Sequence, residues 1–377
     1  MTETHKIAVF EGDGIGPEIM RPTIKILDGL AALLGTFRFD FSVAPAGANH
    51  YARTGMSLPG ESLATARSAD AILLSAMGDP DIRYPDGTEI SPQIELRQQL
   101  GLIAGLRPVR IAPGQTTPLN LPSGTSVDFV IIRESTEGLF ASMGKGVVTE
   151  SRAEETMVIT RDVSEFLFRT AFRLAISRKA KGLGPGRVTC VDKANVFRSF
   201  AFFRSIFREQ ATHFPDISAD AAYVDATALK MVQKPWDLDV LVTENMFGDI
   251  LSDLGAGLMG GLGLAPSADI GARHAVFQPC HGSAPDIAGQ DIANPMAMIL
   301  SAAMMLDWLG EQKNDPALVD AGSILQQAVE TVIAEKRALT PDLGGSYTTD
   351  DVSNAVLDAL PAAVSAMHES TPAQHSI

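Results

Sequence analysis

Two carboxylates four residues apart sit in the segment Asn245-Met-Phe-Gly-Asp-Ile-Leu-Ser-Asp253, where Asp249 and Asp253 alternate with Phe247, Ile250, Leu251 and Leu254 in a helical pattern. On a helix, positions i and i+4 share one face, and like charges stacked there repel. A hard divalent cation would relieve them, because Mg2+ and Mn2+ take carboxylate oxygens and leave coordination positions for the oxygens of a substrate. Alone, such a pair reads equally well as the solvated acidic face of a helix. Its companions change that reading. Lys193, in Val191-Asp-Lys-Ala-Asn195, follows an apolar run, where partial burial would lower its proton affinity and let it serve as a base. Asp225 closes the run Tyr223-Val-Asp225 and becomes a third metal-ligand candidate beside Asp249 and Asp253. Arg97, Arg107 and Arg133 each stand beside the end of a predicted element, and guanidinium groups grip carboxylates bidentately. One such arginine suggests a surface ion pair. Three of them with a metal site suit a substrate bearing two carboxylates.

The word Phe10-Glu-Gly-Asp-Gly-Ile-Gly-Pro-Glu18 follows a strand and opens a helix, the context of a dinucleotide fingerprint. Its spacing is wrong for one. Glycines fall at 12, 14 and 16, and Pro17 stands where the last glycine of G-x-G-x-x-G belongs, so a standard Rossmann fold is not expected. Pro17 suits the first turn of a helix.

The elements that must position these residues alternate along the chain. Short apolar runs read as strands at Ile7–Phe10, Phe39–Val43, Ala71–Ser75, Phe129–Arg133, Arg187–Val191, Ala221–Val224 and Val240–Thr243. Between them lie helical patterns such as Glu18–Leu34, Val163–Lys179, Val196–Gln210 and Pro295–Leu309. That alternation predicts an α/β protein of parallel strands and helical crossovers. Prolines 113, 118 and 122 mark 112–128 as an irregular connection, and five glycines between Gly255 and Pro266 mark a second boundary. Segment 144–159 is weakly alternating with polar residues on both sides, as an extended arm between subunits would be.

At 377 residues the chain exceeds the size at which one core stops growing, so two domains are expected. With 45% hydrophobic and 20% charged residues it belongs to the globular class, not the disordered one. A net charge of -15 disfavours nucleic acid or an anionic membrane as partner. Cys190 and Cys280 form no C-x-x-C pair, which suits a reducing cytoplasm and excludes a cysteine zinc cage. No apolar stretch approaches the roughly 20 residues that span a bilayer.

Taken together these words resemble the β-decarboxylating dehydrogenases, the family of 3-isopropylmalate, isocitrate, homoisocitrate and tartrate/D-malate dehydrogenases. The resemblance rests on GDGIGPE at 12–18, LRP at 106–108, VDKANV at 191–196, NMFGDILSD at 245–253, LGLAPSA at 262–268, HGSAPDIAG at 281–289, IANP at 292–295 and TPDLGG at 340–345. It implies a two-domain, three-layer α/β/α fold. A cofactor-side domain would comprise 1–105 plus 265–377, and a metal, substrate and dimerisation domain 106–264, with the arm near 141–160. It also implies a homodimer with shared active sites. Arg97, Arg107 and Arg133 would hold the malate carboxylates of a small hydroxy-dicarboxylate. Asp249 and Asp253 of one subunit with Asp225 of the other would bind Mg2+ or Mn2+. Lys193, from the partner subunit and together with Asp225, would handle the hydroxyl proton.

By the same resemblance His281, Gly282, Ser283, Ala284, Pro285, Asp286 and Asn294 would bind the cofactor. Asp286 can accept from ribose hydroxyls and would repel a 2'-phosphate, which favours NAD over NADP. The substituent at C3 would be read by the residues before the first arginine, here Ile90, Ser91, Gln93 and Ile94. Isopropylmalate enzymes place an apolar pair where Gln93 and Ile94 stand, while Ser91 falls where isocitrate enzymes bind a carboxylate. 3-Isopropylmalate is the expected substrate, with tartrate or D-malate, homoisocitrate and isocitrate as alternatives. Phe140 departs from the family, which has a proton-donating tyrosine there; phenylalanine donates no proton. That departure leaves open an inactive paralogue that senses NAD or a dicarboxylate. A magnesium-dependent phosphoryl or enolate enzyme on a similar sheet is a further alternative, opposed by the HGSAPDIAG word.

Overall fold

The computed structural model of the chain describes residues 2–370. Among them the strands are β1 (Glu3–Phe10), β2 (Phe37–Val43), β3 (Ala71–Leu74), β4 (Ala104–Arg110), β5 (Asp128–Glu134), β6 (Val147–Val148), β7 (Ala153–Glu154), β8 (Arg187–Asp192), β9 (Ser218–Tyr223), β10 (Val240–Thr243), β11 (Pro266–Ile270) and β12 (Ala275–Pro279). The helices are α1 (Gly16–Leu34), α2 (Ala48–Thr54), α3 (Gly60–Ser68), α4 (Pro92–Leu100), α5 (Arg161–Ala180), α6 (Arg198–Ala211), α7 (Val224–Gln233), α8 (Asn245–Met259), α9 (Met296–Lys313), α10 (Pro316–Glu335) and α11 (Thr349–Ser370).

Ten strands form one sheet in the order β2-β1-β3-β12-β11-β4-β5-β10-β8-β9. Its two wings are parallel, as the alternation of strands and helices predicts. The centre is not. β11 runs antiparallel to both β12 and β4, and β4 antiparallel to β5. These central strands escape a reading by apolar runs because Gly105, Arg107 and Pro108 interrupt β4, while β11 and β12 are short and close to proline.

Both faces of the sheet are covered, and side-chain alternation shows it directly. In β1, Ile7 and Val9 enter one apolar cluster with α1, α9, α10 and α11, while Ala8 and Phe10 enter another with α3 and α4. In β5, Val130 and Ile132 pack with Phe168, Phe172, Phe203 and Phe207 of α5 and α6; Phe129 and Ile131 pack with Met231 of α7 and Leu251 of α8. The fold is therefore a mixed three-layer α/β/α arrangement, with separate apolar clusters under the two wings. Continuous apolar runs such as Val240-Leu-Val-Thr243, buried at every position, are what a central strand with helices on both sides requires.

Segment 112–127 carries no helix or strand and lies against the C-terminal end of α8, where the Thr117 hydroxyl donates to the Leu258 carbonyl at 2.7 Å. β6 and β7 pair as a two-stranded ribbon with Val147 and Val148 exposed. No helix among the described residues is long and apolar enough to cross a membrane.

Candidate active site

The sheet changes strand direction at its centre, and the cavity opens at the carboxyl ends of β3, β12, β5 and β10, where side chains from both wings meet. Its volume is about 270 Å³. Arg97 from α4, Arg107 from β4, Arg133 from β5, and Asp249 and Asp253 from α8 all line it. Sequence separation of more than 150 residues is thus closed into one site.

Asp269 on β11 organises the arginines. Its fully buried carboxylate accepts from Arg97 Nε at 2.9 Å and Arg107 Nη2 at 3.1 Å, and from Gln278 Nε2 at 2.6 Å. Burial by itself opposes ionisation, yet Arg97 and Arg107 hold the Asp269 carboxyl well below the usual carboxylate range. Arg133 is held differently. Its Nε and Nη2 donate to Asn245 Oδ1 at 2.9 and 2.7 Å, and its Nη1 meets Asp249 Oδ1. Burial lowers the Arg133 guanidinium to about 10; Asp249 counters this in part, while Arg97 and Arg107 push further in the same direction. Three guanidiniums thus crowd a site whose only fully buried carboxylate is Asp269. Asp249, Asp253 and Asp269 match the three guanidiniums in charge, so a ligand with two carboxylates would fit once a divalent cation engages Asp249 and Asp253.

Asp249 and Asp253 occupy successive turns of α8, whose first turn is capped by the Glu244 carboxylate accepting from Met246 and Phe247 N–H groups. Burial, then the adjacent Asp249 charge, raise the Asp253 carboxyl above its ordinary value. Paired hard oxygens under mutual repulsion fit Mg2+ or Mn2+. Among the described residues, no three His, Cys, Asp or Glu side chains gather as a metal cage, so a cation held by Asp249 and Asp253 would need further ligands from substrate, water or another chain. α8 approaches so closely through Gly248 that a Cβ there would lie 2.6 Å from Cβ and Cγ of Arg133. Gly248→Ala is therefore expected to displace Arg133 and to lower kcat/KM by roughly tenfold to a hundredfold, as misplaced positioning groups do. Steady-state kinetics check this, and unchanged kcat/KM would show that the contact is dispensable.

Lys193 and Asp225 do not line the cavity of their own chain. They pair with each other, Nζ to Oδ1 at 2.6 Å, and Asp225 lies in the first turn of α7 rather than at a strand end. Gln93 and Ile94 line the cavity; Ser91, at the N-cap of α4, does not. Phe140 lines it with its ring centroid 5.4 Å from Arg133 Cζ, and no tyrosine among the described residues does.

His281 and Gly282 form one rim. Nδ1 of His281 lies 2.9 Å from the Gly282 carbonyl, while its Nε2 is buried without a partner, and burial lowers the imidazole below its ordinary range. An orphaned ring nitrogen at the mouth of a groove suits a heteroaromatic ligand edge. Ser283 donates to the Gly78 carbonyl at 2.6 Å, Ala284 adopts a positive φ of 38°, and Pro285 and Asp286 are exposed. Asn294 donates to Asp342 at 3.0 Å. The glycine word at 12–16 braces this loop rather than lining the cavity. The Ile15 N–H donates to the Ser283 carbonyl at 2.8 Å, and at Gly14, φ 56°, a Cβ would lie 2.0 Å from that same oxygen. Asp13 is buried and accepts from the N–H groups of Ala48, Asn49 and Gly78 at 2.8, 2.9 and 2.9 Å.

Asp269, Asn245 and Gln278 are positioning residues that the motif reading passes over. Asn245 opens NMFGDILSD, and Asp269 lies one residue beyond LGLAPSA. The available signal for Asp269 is an acid alone in an otherwise apolar strand, which requires a buried cationic partner.

The profile of the isocitrate/isopropylmalate dehydrogenase family matches residues 6–356, and the chain belongs to that family. It is a decarboxylating dehydrogenase, an oxidoreductase. A 3-isopropylmalate/3-methylmalate dehydrogenase of Methanocaldococcus jannaschii is 42% identical over 353 residues, covering 93% of this chain and 98% of that protein. A homoisocitrate dehydrogenase of the same organism is 40% identical over 359 residues, covering 94% and 97%. Among solved structures, an isocitrate dehydrogenase from Methylococcus capsulatus superimposes with a TM-score of 0.81 at 37% identity, covering 94% of this chain and 99% of that one.

Proposed function

We propose that the chain catalyses the NAD-dependent, divalent-metal-dependent oxidative decarboxylation of a 3-substituted (R)-malate, with 3-isopropylmalate the first substrate to test. The observation that carries this reading is the convergence of three guanidiniums and two metal-suited carboxylates on one small cavity. Arg97, Arg107 and Arg133 bind and orient the two malate carboxylates. Asp249 and Asp253 hold the cation, with Asp225 of a second copy as third ligand. The residues at 281–286 with Asn294 would hold a nicotinamide dinucleotide that would supply a hydride acceptor for C2, and Asp249 and Asp253 would hold a cation that would supply Lewis-acid polarisation of the 2-oxygen. The Lys193 amine, tied to Asp225 at 2.6 Å, receives the hydroxyl proton from the facing subunit. His281, Gly282, Ser283, Ala284, Pro285, Asp286 and Asn294 cradle the dinucleotide, and the exposed Asp286 carboxylate favours the 2'-hydroxyl of NAD.

The same reading includes a homodimer with shared sites. Lys193 and Asp225 do not line the cavity of their own chain, and α7 and α8 expose Leu229, Val232, Met246 and Ile250, which supports this reading. Apolar side chains grouped on adjacent elements suit a subunit interface. In this reading 1–105 plus 265–377, of which 1 and 371–377 lie outside the described residues, form the cofactor-side domain, and 106–264 the metal and dimerisation domain with its arm near 141–160. NADH formation from 3-isopropylmalate, isocitrate, homoisocitrate, tartrate and D-malate, with Mg2+ and with Mn2+, tests the proposal. Reduction of NAD with at least one of them is expected; reduction with none would refute it.

A further inference from the structure

Lys193 handles the proton in the proposed reaction, yet its one ion pair is open to water. Asp225, its partner at 2.6 Å, has a side chain 67% exposed, and an ion pair so exposed does not by itself hold a long side chain in one geometry. The surrounding residues do. β8 and β9 run parallel with Asp192 opposite Tyr223 at their carboxyl ends, so Lys193 leaves one strand beside the aromatic residue that closes the other. Asp225 follows in the first turn of α7. The fully buried Asp192 carboxylate accepts from the Ala194 N–H at 2.8 Å, and from Nε and Nη2 of Arg204 on α6 at 2.7 and 2.6 Å. The first bond fixes the turn at Lys193, and the other two aim the guanidinium. Arg204 Cζ lies over the Tyr223 ring, 5.1 Å from its centroid, and Lys193 Nζ lies over the same ring at 5.8 Å. Both fall within the roughly 6 Å over which a cation is drawn to the negative face of an aromatic ring. Asp192 offsets the Arg204 charge, which lets two cations approach one ring.

We infer that Tyr223 is a positioning residue for the proton step: its ring, backed by the Asp192–Arg204 pair, holds the Lys193 amine where it receives the hydroxyl proton. The inference rests on the role proposed above for Lys193. The ring carries the effect and the phenolic hydroxyl does not, because the attraction is to the π face. Arg97, Arg107 and Arg133, which would grip the substrate carboxylates, belong to the cavity, and Tyr223 does not line the cavity of its own chain. Loss of the ring therefore falls on turnover and leaves substrate binding in place.

The test measures kcat and KM of the full chain, with NAD, Mn2+ and the best substrate of the malate series, in the wild type, Tyr223→Phe, Tyr223→Leu, Lys193→Met and the Lys193→Met/Tyr223→Leu double variant. Tyr223→Leu is expected to lower kcat by roughly tenfold to a hundredfold, as a displacement of about 1 Å in a reacting group does, with KM for the substrate within about twofold of the wild type. Tyr223→Phe keeps the ring and is expected to stay within about threefold of the wild-type kcat. In the Lys193→Met background Tyr223→Leu should cost less than about twofold, because a residue that acts only through Lys193 has nothing left to position. Wild-type kcat in Tyr223→Leu, a Tyr223→Phe as slow as Tyr223→Leu, a rise in KM that matches the fall in kcat, or the full Tyr223→Leu penalty without Lys193 would each overturn the inference and leave the reaction class standing. NADH from no substrate of the series would overturn the reaction class itself and the inference with it.

Discussion

Asp249→Asn is expected to lower kcat by roughly 10³-fold, because a catalytic cation supplies several kcal/mol of transition-state stabilisation and each 1.36 kcal/mol is tenfold in rate. An amide is neutral and offers the cation one weak oxygen, so the concentration of Mn2+ giving half-maximal activity should rise as well. The fold should survive. The Asp249 side chain is 53% exposed, and Arg133 keeps both hydrogen bonds to Asn245 when the carboxylate is neutralised. A partly exposed pair of this kind contributes at most about 1 kcal/mol. The combination of lost turnover, weakened metal dependence and a nearly unchanged melting temperature separates a metal ligand from a structural acid. Full activity at saturating substrate and low metal would remove Asp249 from the metal site.

The second large effect falls on stability. Asp269→Asn leaves the buried Arg107 and the nearby Arg97 without their counter-charge, and breaking a buried pair in this way costs about 3–5 kcal/mol. For a chain of 377 residues each kcal/mol moves Tm by roughly 1–1.5 °C, so a fall of about 4–6 °C is expected in thermal unfolding. The pH dependence has a definite sign. Arg97 and Arg107 depress the Asp269 carboxyl in the folded state, so the stability it contributes is complete above the unfolded carboxylate value near pH 4 and is lost only as pH falls through the depressed folded value. The difference in Tm between wild type and variant should therefore hold constant from about pH 8 to 5 and begin to shrink below about pH 4. Substrate affinity should fall together with Tm, since the two arginines lose the group that aims them. An unchanged Tm would show that the arginines find another partner.

Long elements and contiguous words were legible from the chain. The helical spacing of Asp249 and Asp253 placed them on one face of α8, and the parallel wings followed from runs such as Ala71-Ile-Leu-Leu74 and Val240-Leu-Val-Thr243. The antiparallel centre was not. Strand direction there is decided by tertiary packing, and β4 carries Gly105, Arg107 and Pro108 where a strand pattern calls for apolar residues. The same limit hid Asp269. Its function is to aim two arginines from α4 and β4, residues 172 and 162 positions away, and no local pattern encodes such a distance. Gln93 shows the converse case: its identity was plain in the sequence, but its unpaired buried oxygen emerges only when the cavity wall is assembled.

In the proposed reaction one cavity couples hydride removal from C2 to loss of the C3 carboxylate with the help of a divalent ion. The most direct measurement follows NADH and carbon dioxide together, using NAD and the best substrate of the malate series, in Mn2+ and then in excess chelator. One carbon dioxide per NADH is expected with the metal present, and near-complete loss of both with chelator. NADH formed without carbon dioxide, or both formed undiminished without metal, would contradict it.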